Sequence, residues 1–191
     1  MTMQGFYLTE KPTCEETVID MSYMYHGRVN LIGSPVCGPN VTNMDYSYCH
    51  CNNLVGDPVC GQNVITMNGT YYGCTNLNGC ATCGPNVIHM SSTYTNCVNL
   101  AENAYFHSPN IEYVGGCFAG KDKSKRLNIY VPADSVTLSS CISEDYAFSL
   151  VSQQMIWAYN QNENYYVNDL YNIRVYPINN ITQKRIDNGD E

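Results

Sequence analysis

The sequence predicts an α/β solenoid of five to six rungs, with short parallel strands alternating with short helices or 3-10 turns and a small β-rich element closing its C-terminal end. Three observations predict it. The chain aligns with itself at a step of 23 residues, its cysteines, tyrosines and leucines keep that step, and the period stops after Pro132. Internal repeats of this length mark solenoids and related arrays, in which each unit buries its apolar face only against its neighbours.

The clearest copies are Asn40-Val41-Thr42-Asn43-Met44, Asn63-Val64-Ile65-Thr66-Met67 and Asn86-Val87-Ile88-His89-Met90. A variant, Thr17-Val18-Ile19-Asp20-Met21, stands one period upstream, and a looser one, Asn110-Ile111-Glu112-Tyr113-Val114, follows after 24. The leucines run Leu8, Leu31, Leu54, Leu77, Leu100, with Leu127 delayed by an insert around Lys121–Lys125. The aromatics run Tyr25, Tyr48, Tyr71, Tyr94, Phe118. One cysteine series is Cys14, Cys37, Cys60, Cys83 and another is Cys51, Cys74, Cys97. A residue that returns once per unit is best explained by stacking on its own copies. Buried cysteine suits a tight interior, where it acts as a small hydrophobe. The asparagines Asn30, Asn53, Asn76 and Asn99 read as an internal ladder whose amides bond backbone groups at each turn.

Within one unit, Val41, Met44 and Tyr48 are spaced as on a helix, and Asn40 after Gly38-Pro39 suits an N-cap. Leu54 to Val59 reads as short and extended, broken by Gly56 and Pro58. Each unit is thus a short helix or 3-10 turn followed by a very short strand. Strands on adjacent rungs pair in parallel, giving a stack roughly 25 Å long at the usual strand spacing. At the start, Leu8, Pro12 and Cys14 fall in register with Leu31, Pro35 and Cys37, so the chain begins inside the stack. Met1–Gln4 would be a partial cap on an edge otherwise open to another chain.

These units resemble BspA-like leucine-rich repeats, in which a Val-Thr-x-Met segment, an aromatic, a cysteine and a leucine recur about every 23 residues. The resemblance covers about residues 7–131. Tyr in place of Phe, connectors such as Gly33-Ser34-Pro35-Val36-Cys37-Gly38-Pro39-Asn40, and the lack of a signal peptide set this chain apart. In these it looks like versions of the repeat in predicted tail proteins of gut bacteriophages. The segments Arg126–Val136 and Tyr171–Ile181 look like the closing module that follows such repeats there.

The division expected is a repeat region at 1–132, a β-rich capping or docking module at 133–183, and a disordered acidic tail at 184–191. In the module, Glu144–Ser152 reads as a short helix and Gln154–Tyr159, Tyr165–Val167 and Leu170–Tyr176 as strands. Asn160–Asn164 reads as a turn.

Charge and composition exclude some functions. A net charge of -8 with 9 Lys+Arg argues against binding a nucleic-acid backbone. No apolar run approaches a membrane span. The N-terminus shows neither a basic n-region nor an apolar h-region, so no secretory signal is expected. Cys80-Ala81-Thr82-Cys83, with Cys49 and Cys51, hints at zinc, but ladder cysteines point inward and the spacing is not repeated. Ladder neighbours lie within disulfide reach, yet a reducing site of synthesis favours free thiols. His26, His50, His89 and His107 occupy four different repeat offsets, and no nucleophile–base pair or phosphate loop stands out. Sequons at Asn40, Asn68 and Asn180 do not imply glycosylation, since the first belongs to the repeat consensus.

That leaves surface contact. Tyr23, Tyr46, Tyr72, Tyr105 and Tyr113 are off the ladder, and tyrosine offers contact area at low entropic cost. Ile32, Val55, Asn78 and Ala101, with Ser34, Asp57, Cys80 and Asn103, vary from unit to unit on one face. The candidate binding surface is therefore Tyr46, Tyr72, Tyr105, Tyr113, Val55, Asp57, Asn78 and Asn103. The resemblance implies a bacteriophage virion protein, part of a tail or fibre, or alternatively a bacterial cell-surface adhesin. The partners it implies are other virion proteins, a host surface protein or glycan, or a second copy of the chain. No enzyme activity, cofactor, metal, nucleic acid or membrane insertion is expected.

Overall fold

The computed structural model describes residues 9–190. Leu8 and the expected partial cap at Met1–Gln4 lie outside them. Within the described residues the chain winds in coils stacked at the repeat period. Parallel bridges join Asp20 to Asn43, Asn43 to Thr66, Thr66 to His89 and His89 to Tyr113. A second line, Glu10–Leu31 and Gly33–Leu54, runs along the other extended segment. Farther on, this line becomes true strands: β1 (Ala81–Cys83), β2 (Asn103–Phe106) and β3 (Leu127–Pro132). After α1 (Val136–Cys141) come β4 (Ala158–Asn160), β5 (Tyr165–Asn168), β6 (Ile173–Ile178) and α2 (Ile181–Asp187). The six strands form one sheet ordered β1-β2-β3-β6-β5-β4, parallel through β6 and antiparallel at β5 and β4.

The expected helix or 3-10 turn is not found within the coils. Alternate N–H groups are spent in different directions. Ser47, Cys49 and Cys51 donate three residues back, to the carbonyls of Met44, Tyr46 and Tyr48. Met44, Tyr46, Tyr48 and His50 donate instead to Thr66, Asn68, Thr70 and Tyr72 on the next coil, at 2.9, 2.9, 3.0 and 2.7 Å. A helix needs every N–H for itself. A chain of overlapping turns leaves half of them free to hold the neighbouring coil.

Such turns require left-handed residues at two places per coil. Tyr46 (φ 54°) and His50 (φ 62°) occupy them on one coil, and Gly69 (φ 57°) and Gly73 (φ 73°) on the next. At these two glycines the cause is steric. A Cβ on Gly69 would lie 2.4 Å from the Tyr46 ring, and one on Gly73 would lie 2.7 Å from His50 Nδ1. Asn96 covers Gly120 in the same manner.

The interior holds the ladders. Val41, Val64, Val87 and Ile111 are buried, as are Met21, Met44, Met67 and Met90, and Leu31, Leu54 and Leu77. The rings of Tyr25, Tyr48, Tyr71, Tyr94 and Phe118 stack at 5.3, 5.7, 5.7 and 5.7 Å. Each stacked pair adds about 0.5–1.5 kcal/mol beyond its burial. The hydroxyls explain why tyrosine recurs. Tyr48 Oη donates to the Val36 carbonyl at 2.7 Å and accepts the Val36 N–H at 3.1 Å. Tyr71 does the same for Val59, and Tyr94 for Thr82. Each ring thus crosses its own coil and satisfies both backbone groups of a residue opposite.

Cys51, Cys74 and Cys97 are buried and donate to the carbonyls of Tyr25, Tyr48 and Tyr71, one coil back, each at 2.9 Å. Cys37 and Cys60 are half-buried, and Cys83 is fully buried. All eleven cysteines are free thiols.

The asparagine ladder is not internal. Asn53, Asn76 and Asn99 are exposed, because Val, Met, Tyr, Cys and Leu fill the coil. Asn53 and Asn99 work from the rim, their amides donating to the carbonyls of Val29 and Thr75. A second rim series, Asn40, Asn63 and Asn86, donates to Glu16, Pro39 and Gln62, each at 2.8 Å. Asn40 is therefore a clip between coils and caps no helix.

The C-terminal part corrects three expectations. Glu144–Ser152 is not a helix: it makes turns whose Ser149 and Leu150 carbonyls accept the Gly116 and Phe118 N–H groups, extending the coil stack. The helix falls instead at α1, where the Ser135 hydroxyl accepts the Leu138 N–H. The boundary at 132/133 is crossed by β3 pairing with β6, from Leu127–Ile173 to Pro132–Ile178. The tail expected to be disordered from residue 184 continues α2, N-capped by Asn180.

Candidate binding face

The candidate residues fall into separate groups. Val55, Asp57, Asn78 and Asn103 lie on the outer side of the extended segments. Val55 is 44% exposed, Asp57 and Asn78 are exposed, and Asn103 is half-buried. Two of them are already engaged with their own backbone. Asp57 Oδ1 accepts the Cys80 N–H at 3.1 Å, and Asn78 Oδ1 accepts the Gly56 N–H at 2.8 Å. The Asp57 carboxylate sits so close over Gly79 that a Cβ there would lie 1.9 Å from it.

Tyr46 and Tyr72 belong to the turn side. Tyr46 is half-buried, stacked on the exposed Tyr23 at 5.2 Å, and Tyr72 meets His50 edge-on at 5.2 Å. Tyr113 is 42% exposed on the bridge line, between His89 and Phe148 at 5.1 and 5.9 Å. The eight residues do not form one surface.

Tyr105 is the exception to exposure: it is fully buried. It stands first in a row across the sheet. Tyr105, Tyr130 and Tyr176 occupy matching positions on β2, β3 and β6, with ring centroids 5.1 and 5.0 Å apart, and Tyr165 follows at 5.0 Å. Strand alternation sends Ala104, Ile129 and Val175 into the main core and the tyrosines outward. Below the tyrosines, the Asn128 amide donates to Asn103 Oδ1 at 3.1 Å.

What covers Tyr105 is α2 and the residues after it. Ile181 buries itself against Cys80, Tyr105 and Tyr130 in a small second apolar cluster. The Arg185 guanidinium lies 5.6 Å over the Tyr105 ring and the Lys184 ammonium 5.7 Å over Tyr130. The Tyr105 hydroxyl donates to Asp190 Oδ2 and accepts from the Asn188 amide at 2.7 Å. Asp190 Oδ2 also accepts from the Asn103 amide at 2.9 Å. Burial, with the Asp190 carboxylate alongside, pushes the Tyr105 phenol well above its ordinary value, so it stays a donor. Burial likewise pushes the Cys80 thiol up to about 11, with Asp190 adding to it. Cys80 sits in this outer cluster while Cys83 lies in the main core, so the Cys-x-x-Cys pair points to opposite faces. Among the described residues, no three His, Cys, Asp or Glu side chains converge to hold a metal.

Tyr130, Tyr176 and the tail were missed from the sequence. A signal was there: Asn103-Ala104-Tyr105 and Asn128-Ile129-Tyr130 share a pattern that Arg174-Val175-Tyr176 nearly repeats. It lies outside the regular period, because the Lys121–Lys125 insert and the β4–β5 hairpin separate its copies. Chemically the face offers flat rings, amides and tyrosine hydroxyls. Its buried thiol is held neutral near neutral pH, which suits contact rather than nucleophilic attack. No family model, no curated protein and no solved structure matches this chain.

Proposed function

We propose that this chain is a non-enzymatic virion protein of a bacteriophage. In this reading it is a tail or fibre component of the BspA-like leucine-rich-repeat type that joins other virion proteins or recognises a host surface. The observation that carries the reading is a backbone held in register coil after coil, with side chains that change on one side. Ile32, Val55, Asn78 and Ala101, with Ser34, Asp57, Cys80 and Asn103, take successive positions there. A stack of this kind supplies an extended, rigid contact surface. The likeness of the repeat to those in phage tail proteins supplies the setting. The thiols support it: they serve as buried hydrogen-bond donors, a use suited to a chain made in a reducing compartment and released by lysis.

The test is fractionation. Mass spectrometry of purified phage particles and of the host envelope, from one culture, locates the protein. Stoichiometric presence in particles is the expected result. Presence in the envelope alone would replace this reading with that of a cell-surface adhesin.

A further inference from the structure

The segment 181–190 touches the sheet's outer face through few but specific groups. They are the Ile181 side chain, the two cations over Tyr130 and Tyr105, and the Asn188 and Asp190 side chains on the Tyr105 hydroxyl and the Asn103 amide. The seat is pre-formed without it, because the tyrosine row is set by strand register and by stacking on its own members. The segment leaves β6 after Ile178 through only Asn179 and Asn180, both exposed. A short hinge invites identical chains to exchange an element, and a seat that stands by itself can receive the copy from a neighbour.

We propose that the Asn103–Tyr105–Tyr130 face is an interaction surface for residues 181–190 of a second copy of this chain. With the segment on its own seat, the chain is the closed monomer. That segment fits this face group for group, and a second copy carries the same segment with no chemical difference. Tethering sets which form wins. An effective concentration on the order of millimolar keeps the segment at home in dilute solution. In an array that brings a neighbour's seat within reach of the Asn179–Asn180 linker, that seat competes with the chain's own. The surface itself goes beyond the virion reading; only its use in assembly rests on that reading.

Two full-length variants separate seat from segment. Asn103→Ala with Tyr105→Phe spoils the seat but keeps the ring. Arg185→Ala with Asp190→Ala spoils the segment but keeps the seat. Each alone is expected to be monomeric by sedimentation equilibrium at submillimolar concentration. Their equimolar mixture is expected to give at least tenfold more dimer than either alone, with the intact segment regaining hydrogen-exchange protection. A mixture as monomeric as its components, or dimers of equal amount in all three samples, would overturn the proposal. Should a double variant fail to fold, Tyr105→Phe and Asp190→Asn serve as a milder pair with the same readouts. Neither outcome alters what particle fractionation reports, so the two readings fail separately.

Discussion

The ladder tyrosine combines three tasks in one side chain: it fills the coil, stacks on its copies, and closes a backbone donor and acceptor across the coil. Removing only the hydroxyl isolates the third task. Tyr71→Phe leaves the Val59 N–H and C=O without their partner in a half-buried place, which costs about 1–2 kcal/mol. Tyr25→Phe, whose bond to Thr13 is exposed to water, is expected to cost under about 1 kcal/mol. Denaturant midpoints of the two variants check the difference, and equal losses would contradict it. The thiols make a second prediction. Burial raises Cys51 to about 11 and Cys83 and Cys97 to about 12. A thiol is neutral when protonated, so the fold keeps its protons while the unfolded chain loses them from about pH 8.5. Above that value the unfolded state binds fewer protons, and stability falls as pH rises through this window. Unfolding midpoints at pH 7.5, 8.5 and 9.5 are expected to fall in that order.

At the level of elements, the inward positions were legible and the backbone that carries them was not. Val41, Met44 and Tyr48 point inward as their spacing implies. The same spacing, however, fits a helix and a run of turns whose alternate N–H groups bond the next coil. Side-chain period cannot separate these, because the choice is made by bonds 22 residues away. The clue lay in the glycines: Gly27, Gly73 and Gly120 share a repeat offset with His50 and Asn96, and a left-handed residue is required there. Recurrence suggests an inside place for the asparagines, yet it also marks rim clips such as Asn63 to Pro39. In the candidate site, the sequence suggests exposure for Tyr105 because its cover is remote in the chain, reaching Asp190, 85 positions later. The turns yield a test of their own. Gly69→Ala adds a Cβ against the Tyr46 ring on a left-handed backbone. The backbone alone costs roughly 1–2 kcal/mol. His50→Gly opens no such conflict, and its Tm is expected to move less than that of Gly69→Ala.

The whole molecule is built on coils whose interior ladders are interchangeable. The ladder contacts that hold one coil are made again, at the same offset, by the next. Tyr48 stacks on Tyr71 as Tyr71 does on Tyr94, and Cys74 bonds the Tyr48 carbonyl as Cys97 bonds that of Tyr71. Stability in such a stack is a sum of unit and neighbour contributions. The most direct measurement is therefore to delete residues 39–61, one full period. This joins Gly38 to Gln62, brings Tyr25 against Tyr71 and Cys74 against the Tyr25 carbonyl, and leaves Gly69 and Gly73 beside Tyr23 and Gly27. Deleting 39–50 removes about half a period and serves as the control. The account predicts that the full-period deletion folds and unfolds in one cooperative thermal transition at a lowered Tm, while the half-period deletion does not fold. Two deletions that behave alike would contradict it.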